Sequence, residues 1–160
     1  MFNTTIATQI YAKICFEATN SQKKIIENLS EYLSDDDFSR IFVLNGFAGT
    51  GKTTLIAALV AALKELRIKP VLLAPTGRAA KVLARYCGEQ ALTIHKRIYR
   101  QRTNADYESK FSLDFNREQG AVFIVDEASM LSDSTGDGAL FGSGSLLEDP
   151  VSYTHLRAHE

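Results

Sequence analysis

A chain of 160 residues, 45% of them hydrophobic and 23% charged, has the balance of a folded globular domain and excludes a disordered or fibrous segment. With 18 Lys and Arg against 19 Asp and Glu, its net charge of -1 excludes a global basic field, so any contact with nucleic acid has to be local. Cys15 and Cys87 have neither disulfide-framework nor zinc-ligand spacing, and no segment reads as a signal peptide or a membrane span, so a cytoplasmic protein with reduced thiols is expected.

From Asn20 to Leu33 the apolar residues Ile25, Ile26, Leu29, Tyr32 and Leu33 recur at spacings of three and four, which predicts an amphipathic helix capped by Thr19, Asn20 or Ser21. After the acidic turn at Ser34 to Asp37, the short apolar run Ile41-Phe42-Val43-Leu44 predicts a strand buried on both faces. Lys52 to Leu66 is rich in Ala and Leu and predicts a helix. Pro70 opens a second buried strand, Val71 to Ala74, which Pro75-Thr76-Gly77 ends before a helix from Arg78 to Tyr86. A shorter helix is expected around Thr93 to Tyr99, then a polar loop from Gln101 to Lys110. Phe111, Leu113 and Phe115 alternate with polar residues as in a half-exposed strand. Val122 to Val125 is the third fully apolar run. Strands without polar alternation, alternating with helices, predict an α/β fold with a parallel sheet covered by helices on both faces.

Beyond Leu131 the composition changes, since Ser132 to Ser145 is dominated by Gly, Ser, Thr and Asp and predicts a flexible loop, either slack or touching DNA. A helix beginning near Gly144 is expected to stop at Pro150, and the last ten residues show no period. No internal repeat is present.

The chemistry concentrates at Gly46-Phe47-Ala48-Gly49-Thr50-Gly51-Lys52-Thr53, which fits G-x-x-x-x-G-K-[ST] between an apolar run and a helix. Glycines allow backbone N–H groups to curl around phosphates, and a helix N-terminus adds its dipole. Gly46, Ala48, Gly49, Thr50, Gly51, Lys52, Thr53 and Thr54 are therefore the candidate ATP cradle. Lys52 is placed to reach the β- and γ-phosphates and Thr53 to hold Mg²⁺. The apolar run 122–125 ends in Asp126-Glu127, where one carboxylate can bind Mg²⁺ and its neighbour can polarise the attacking water. Asp126 is assigned to the metal and Glu127 to the general base.

In chain order, GFAGTGKTT (46–54), APTGRAA (74–80), TIHK (93–96) and DEASM (126–130) resemble the first motor domain of superfamily-1 DNA helicases of the RecD-like kind. The resemblance implies a three-layer, RecA-like P-loop NTPase fold and ATP-driven translocation on single-stranded DNA. It gives Gln22 the role of reading the adenine edge, and gives Pro75, Thr76, Gly77 and Arg78, together with His95 and Lys96, the role of contacting the DNA strand. The alternatives are an exposed helix face for Gln22 and Arg78, and a structural or solvated position for His95. The family's Gly-Asp-x-x-Gln motif and its second motor domain with an arginine finger do not occur in these residues, so a truncated motor at 1–149 is expected. The terminal SYTHLRAHE resembles a translated adapter sequence, and 150–160 is read as a non-native tail. A P-loop ATPase of another class, nuclease-associated or signalling, and a fragment that binds nucleotide without catalysis are the alternatives. Protein partners are not legible.

Overall fold

The computed structural model describes residues 2–35, 40–103, 109–118, 120–131 and 148–155. The chain divides into two compact units, one of residues 1–70 with 86–88 and one of residues 71–85 with 89–160.

The first unit is helical. Its helices are α1 (Phe2–Lys13), α2 (Asn20–Ser34) and α3 (Lys52–Glu65), with α1 packed on both of the others. Helix α1 was not legible in the sequence: among its described side chains the deeply buried ones are Ile6 and Ile10, an i, i+4 pair among polar and β-branched residues. Helix α2 starts where a capping box dictates. The Thr19 hydroxyl accepts from the Gln22 N–H at 3.3 Å, and the Gln22 Oε1 accepts from the Thr19 N–H at 2.9 Å. Ile26 and Leu29 carry its buried stripe. Helix α3 buries Leu55, Ala58, Leu59, Val60, Ala62 and Leu63, a wide apolar arc that leaves few positions for solvent.

Helix α3 ends in a Schellman motif. The Ile68 N–H donates to the Leu63 carbonyl at 2.8 Å and the Arg67 N–H to the Lys64 carbonyl at 3.0 Å, with Arg67 at φ 59° in the left-handed conformation that glycine usually supplies. An ion pair between Lys13 and Glu65 links α1 to this end of α3.

The expected strand at 41–44 is not formed. Residues 40–47 have no regular structure, and Ile41 and Val43 are 59% and 80% exposed. The run is instead tied to the end of α2, where the Tyr32 hydroxyl donates to the Arg40 carbonyl at 2.9 Å and the Tyr32 and Phe42 rings lie 5.5 Å apart. An apolar run becomes a strand only when a neighbour takes its backbone hydrogen bonds, and among the described residues no strand pairs with this one.

The second unit holds a three-stranded sheet in the order β2-β1-β5, from β1 (Pro70–Ala74), β2 (Ala91–Thr93) and β5 (Val122–Val125). Strands β1 and β2 are parallel, with Leu72 opposite Ala91 and Ala74 opposite Thr93. Val71 to Ala74 are all buried, as a strand covered on both faces must be. Helix α4 (Gly77–Cys87) connects β1 to β2. The parallel α/β arrangement with flanking helices matches the P-loop NTPase fold expected from the sequence.

Strand β2 was missed because three residues are too few to show a period. The expected helix at 93–99 is α5 (Ile94–Ile98), capped by Thr93, whose hydroxyl accepts from the Lys96 N–H at 3.2 Å. The chain then runs directly into β3 (Tyr99–Thr103), which pairs antiparallel with β4 (Ser109–Leu113). The two ends of the expected polar loop at 101–110 thus lie in these strands, and the half-exposed strand expected at Phe111, Leu113 and Phe115 is formed as β4 up to Leu113. Val71, Leu73, Ile94, Ile98 and Tyr99 form the buried cluster beneath the sheet, with Phe123 and Val125 against it. Arg97 and Glu118 form a half-buried ion pair at 2.8 Å.

Helix α6 (Glu148–His155) passes through Pro150, where the sequence predicted a stop. Proline is the third helical residue there, a first-turn position whose N–H has no intrahelical acceptor, so its missing donor costs nothing. Tyr153 of this helix is 2% exposed, and Asp149 accepts from the Tyr99 hydroxyl at 2.6 Å. Burial, with that bond second, pushes the Tyr99 phenol well above its ordinary value. The expected loop at 132–145 lies outside the described residues. Among those described, no helix is long and apolar enough to cross a membrane.

Candidate nucleotide and strand-contact sites

The loop from Gly46 to Gly51 is shaped by its glycines and its own side chains. Gly49 and Gly51 lie at φ 79° and 84°, conformations that a Cβ would strain. Gly51 is also closed sterically, because a Cβ there would stand 3.0 Å from the Gln22 Nε2; at Gly46 a Cβ would stand 3.0 Å from the Thr50 Oγ1. The Phe47 carbonyl accepts from the Thr50 hydroxyl at 2.8 Å, which fixes the turn, while the Phe47 ring is 90% exposed.

Lys52 is the first residue of α3 and folds back over the loop. Its ammonium donates to the Gly46 carbonyl at 2.5 Å and to the Phe47 carbonyl at 2.8 Å. Gly51 precedes the helix with no side chain to cap it, so the first-turn N–H groups stay open to an anion. Gln22 joins the same site. Its Nε2 donates to the Thr50 carbonyl at 3.3 Å, a contact that residue spacing alone could not reveal. With one amide proton and one Oε1 lone pair thus engaged, the Gln22 amide keeps a second donor and acceptor free for a ligand edge.

The remaining predicted residues gather in the second unit, at one edge of the sheet. Pro75 to Arg78 leave the end of β1, Ile94 to Lys96 leave the end of β2, and Asp126-Glu127 leave the end of β5. The carboxyl edge of a parallel sheet is where α/β proteins bind ligands. The Asp126 N–H donates to the Leu73 carbonyl at 3.0 Å, extending the ladder one residue beyond β5 and fixing the carboxylate beside the end of β1. The Asp126 Oδ1 accepts from the Glu127 N–H at 3.0 Å. Glu127 itself sits at φ 55°, one of two non-glycine residues in the left-handed region among those described. That conformation costs about 1–2 kcal/mol and leaves the Glu127 side chain exposed at the strand end.

The Thr76 hydroxyl accepts from the Ala79 N–H at 3.2 Å and its carbonyl from the Ala80 N–H at 2.9 Å, so this predicted strand-contact residue is also the cap of α4. Its hydroxyl proton remains available to a phosphate. Gly77 has open space around its Cβ position, and Arg78 is exposed. Lys96 is exposed as well. His95 is half-buried, and its ring lies 5.7 Å from that of Tyr99, a packed position.

A family model described as an AAA domain matches residues 17–140. The chain belongs to the AAA domain family. The match takes in the phosphate loop, the sheet edge and Asp126-Glu127 of this AAA domain. Over 114 residues the chain is 29% identical to the ATP-dependent RecD2 DNA helicase of Deinococcus radiodurans, which covers 71% of this chain. The RecD-like resemblance carried by the four motifs is borne out by that likeness. The chain spans 15% of the length of that relative.

Proposed function

We propose that this AAA domain is the nucleotide-binding part of an ATP-driven motor that moves along single-stranded DNA. The observation that carries the reading is the loop at 46–51, with two left-handed glycines leading into an uncapped helix whose first residue is Lys52. Such a loop presents consecutive N–H groups and one ammonium to a phosphate chain, the chemistry of a triphosphate cradle.

In this reading Gly46, Ala48, Gly49, Thr50, Gly51 and Thr54 line the cradle and Lys52 exchanges its two carbonyl partners for phosphate oxygens. Charge favours the exchange, since hydrogen bonds between ionised partners are roughly twice as strong as neutral ones. The Thr53 hydroxyl of the first unit and the Asp126 carboxylate of the second are each a hard oxygen ligand of the kind Mg²⁺ selects. Magnesium supplies charge neutralisation on the β- and γ-phosphate oxygens. Glu127 accepts the proton of the attacking water, and Gln22 reads the adenine edge with its free donor and acceptor. Pro75, Thr76, Gly77 and Arg78, with His95 and Lys96, hold the DNA strand through its phosphates, which needs no base recognition.

The likeness to a DNA helicase and the gathering of these loops at one sheet edge support the reading. ATP hydrolysis by the whole protein, measured with and without single-stranded DNA, tests it: stimulation by DNA, abolished by Lys52→Ala, is expected. Hydrolysis indifferent to DNA would leave a P-loop ATPase of another class.

A further inference from the structure

Helix α4 carries more charge than its first residues need. Within Gly77–Cys87 there are three cations, Arg78, Lys81 and Arg85, and no acid, in a chain whose net charge is -1. At 100° per residue these three and Val82 fall within an arc of about 100° on one side of the helix. Ala80 and Leu83 on the opposite side are 5% and 1% exposed, whereas Arg78, Lys81, Val82 and Arg85 are all exposed. None of the three cations forms an ion pair with a described residue.

A merely solvated helix face alternates its charges, because like charges three or four residues apart repel and weaken the helix. Here Arg78 and Lys81 are three apart and Lys81 and Arg85 four apart. Arg78 also stands near the N-terminus, where the helix dipole disfavours a cation. The face therefore costs α4 stability unless an anion covers it. Its length suits a polymer: seven residues of helix place Arg78 and Arg85 about 10 Å apart. Val82, 48% exposed among the cations, adds an apolar contact.

We infer that the outer face of α4 is a phosphate track, on which Lys81 and Arg85 continue the backbone contact that Arg78 begins. The occupant is the sugar-phosphate backbone of a nucleic-acid strand, since three cations in a row along one helix, none ion-paired among the described residues, are complementary to a regularly spaced polyanion. The inference rests on the single-stranded DNA reading and extends it by two residues that lie outside all four motifs.

Salt dependence tests it. Each phosphate neutralised on a single strand contributes about -0.7 to the slope of log K against log salt. Anisotropy of a dye-labelled oligothymidylate, titrated with the chain at several salt concentrations, should give a slope shallower by about 1.4 for Lys81→Gln/Arg85→Gln than for the wild type. Lys23→Gln/Lys24→Gln, which removes two exposed cations from α2, should leave the slope unchanged. The Lys81/Arg85 variant should unfold no more easily than the wild type, because it relieves repulsion. Equal slopes for wild type and variant, or an equal loss in the α2 variant, overturn the inference and leave the DNA reading standing. No binding of the oligonucleotide by the wild type overturns both.

Discussion

The side chain of Gln22 bridges two structures at once, accepting at Oε1 from the Thr19 N–H at 2.9 Å and donating from Nε2 to the Thr50 carbonyl at 3.3 Å. The first bond starts helix α2, and the second holds the phosphate loop. The two roles separate by substitution. Gln22→Glu keeps the acceptor that closes the capping box but turns the Nε2 donor into an oxygen facing a carbonyl. A hydrogen bond of this kind is worth about 0.5–1.5 kcal/mol, so Mg-ATP affinity should fall about 3- to 10-fold while stability to urea changes by less than about 1 kcal/mol. Gln22→Ala should lose affinity and, in addition, about 1 kcal/mol of stability. Wild-type affinity in Gln22→Glu would mean that the Thr50 contact does not shape the loop.

Arg67 occupies the left-handed position of the Schellman motif that ends α3. An L-residue there costs about 1–2 kcal/mol, while glycine's extra backbone entropy in the unfolded chain takes back about 0.5–1 kcal/mol. Arg67→Gly should therefore raise the unfolding free energy by up to about 1 kcal/mol, read from the urea midpoint. A drop would show that the Arg67 side chain contributes a contact larger than the strain it relieves.

Glu127 presents the same strain with the opposite outcome for function. Glu127→Gly should leave stability equal or slightly higher, yet remove the proposed base, and Glu127→Gln should keep Mg-ATP binding. General-base catalysis typically contributes 10²- to 10⁴-fold, so hydrolysis by the whole protein should fall by at least about 100-fold in both variants. Retained turnover in Glu127→Gln would move the proton acceptor elsewhere.

The turn from Gly46 to Gly51 and the helix start at Lys52 were legible from sequence because they are local: Gly49 and Gly51 take left-handed conformations directly before α3. Asp126-Glu127 and Pro75 to Arg78 were legible as strand ends for the same reason, since β1 and β5 are uninterrupted apolar runs bounded by polar residues. What failed depends on neighbours. The run 41–44 has the composition of a buried strand, but among the described residues no strand pairs with it, and the Phe42 ring packs against Tyr32 of α2. Strand β2 is three residues long, and β3 carries no apolar alternation, whereas Phe111 and Leu113 of β4 alternate as the sequence led one to expect. The Gln22 contact with Thr50 spans 28 residues of sequence and no motif encodes it. The basic face of α4 was visible as residues but not as a face until the burial of Ala80 and Leu83 fixed which side points outward.

Lys52 is the residue on which the nucleotide reading turns, because its ammonium is the one full positive charge in the loop from Gly46 to Thr54. Calorimetric titration of Mg-ATP into the chain, wild type against Lys52→Ala, isolates that charge. A saturable one-to-one isotherm for the wild type, with affinity lowered at least about 10-fold in Lys52→Ala, is the predicted result, since bonds to charged groups are worth about 1.5–3 kcal/mol. A wild-type chain that takes up no Mg-ATP, or a Lys52→Ala chain that binds it equally well, would contradict the account.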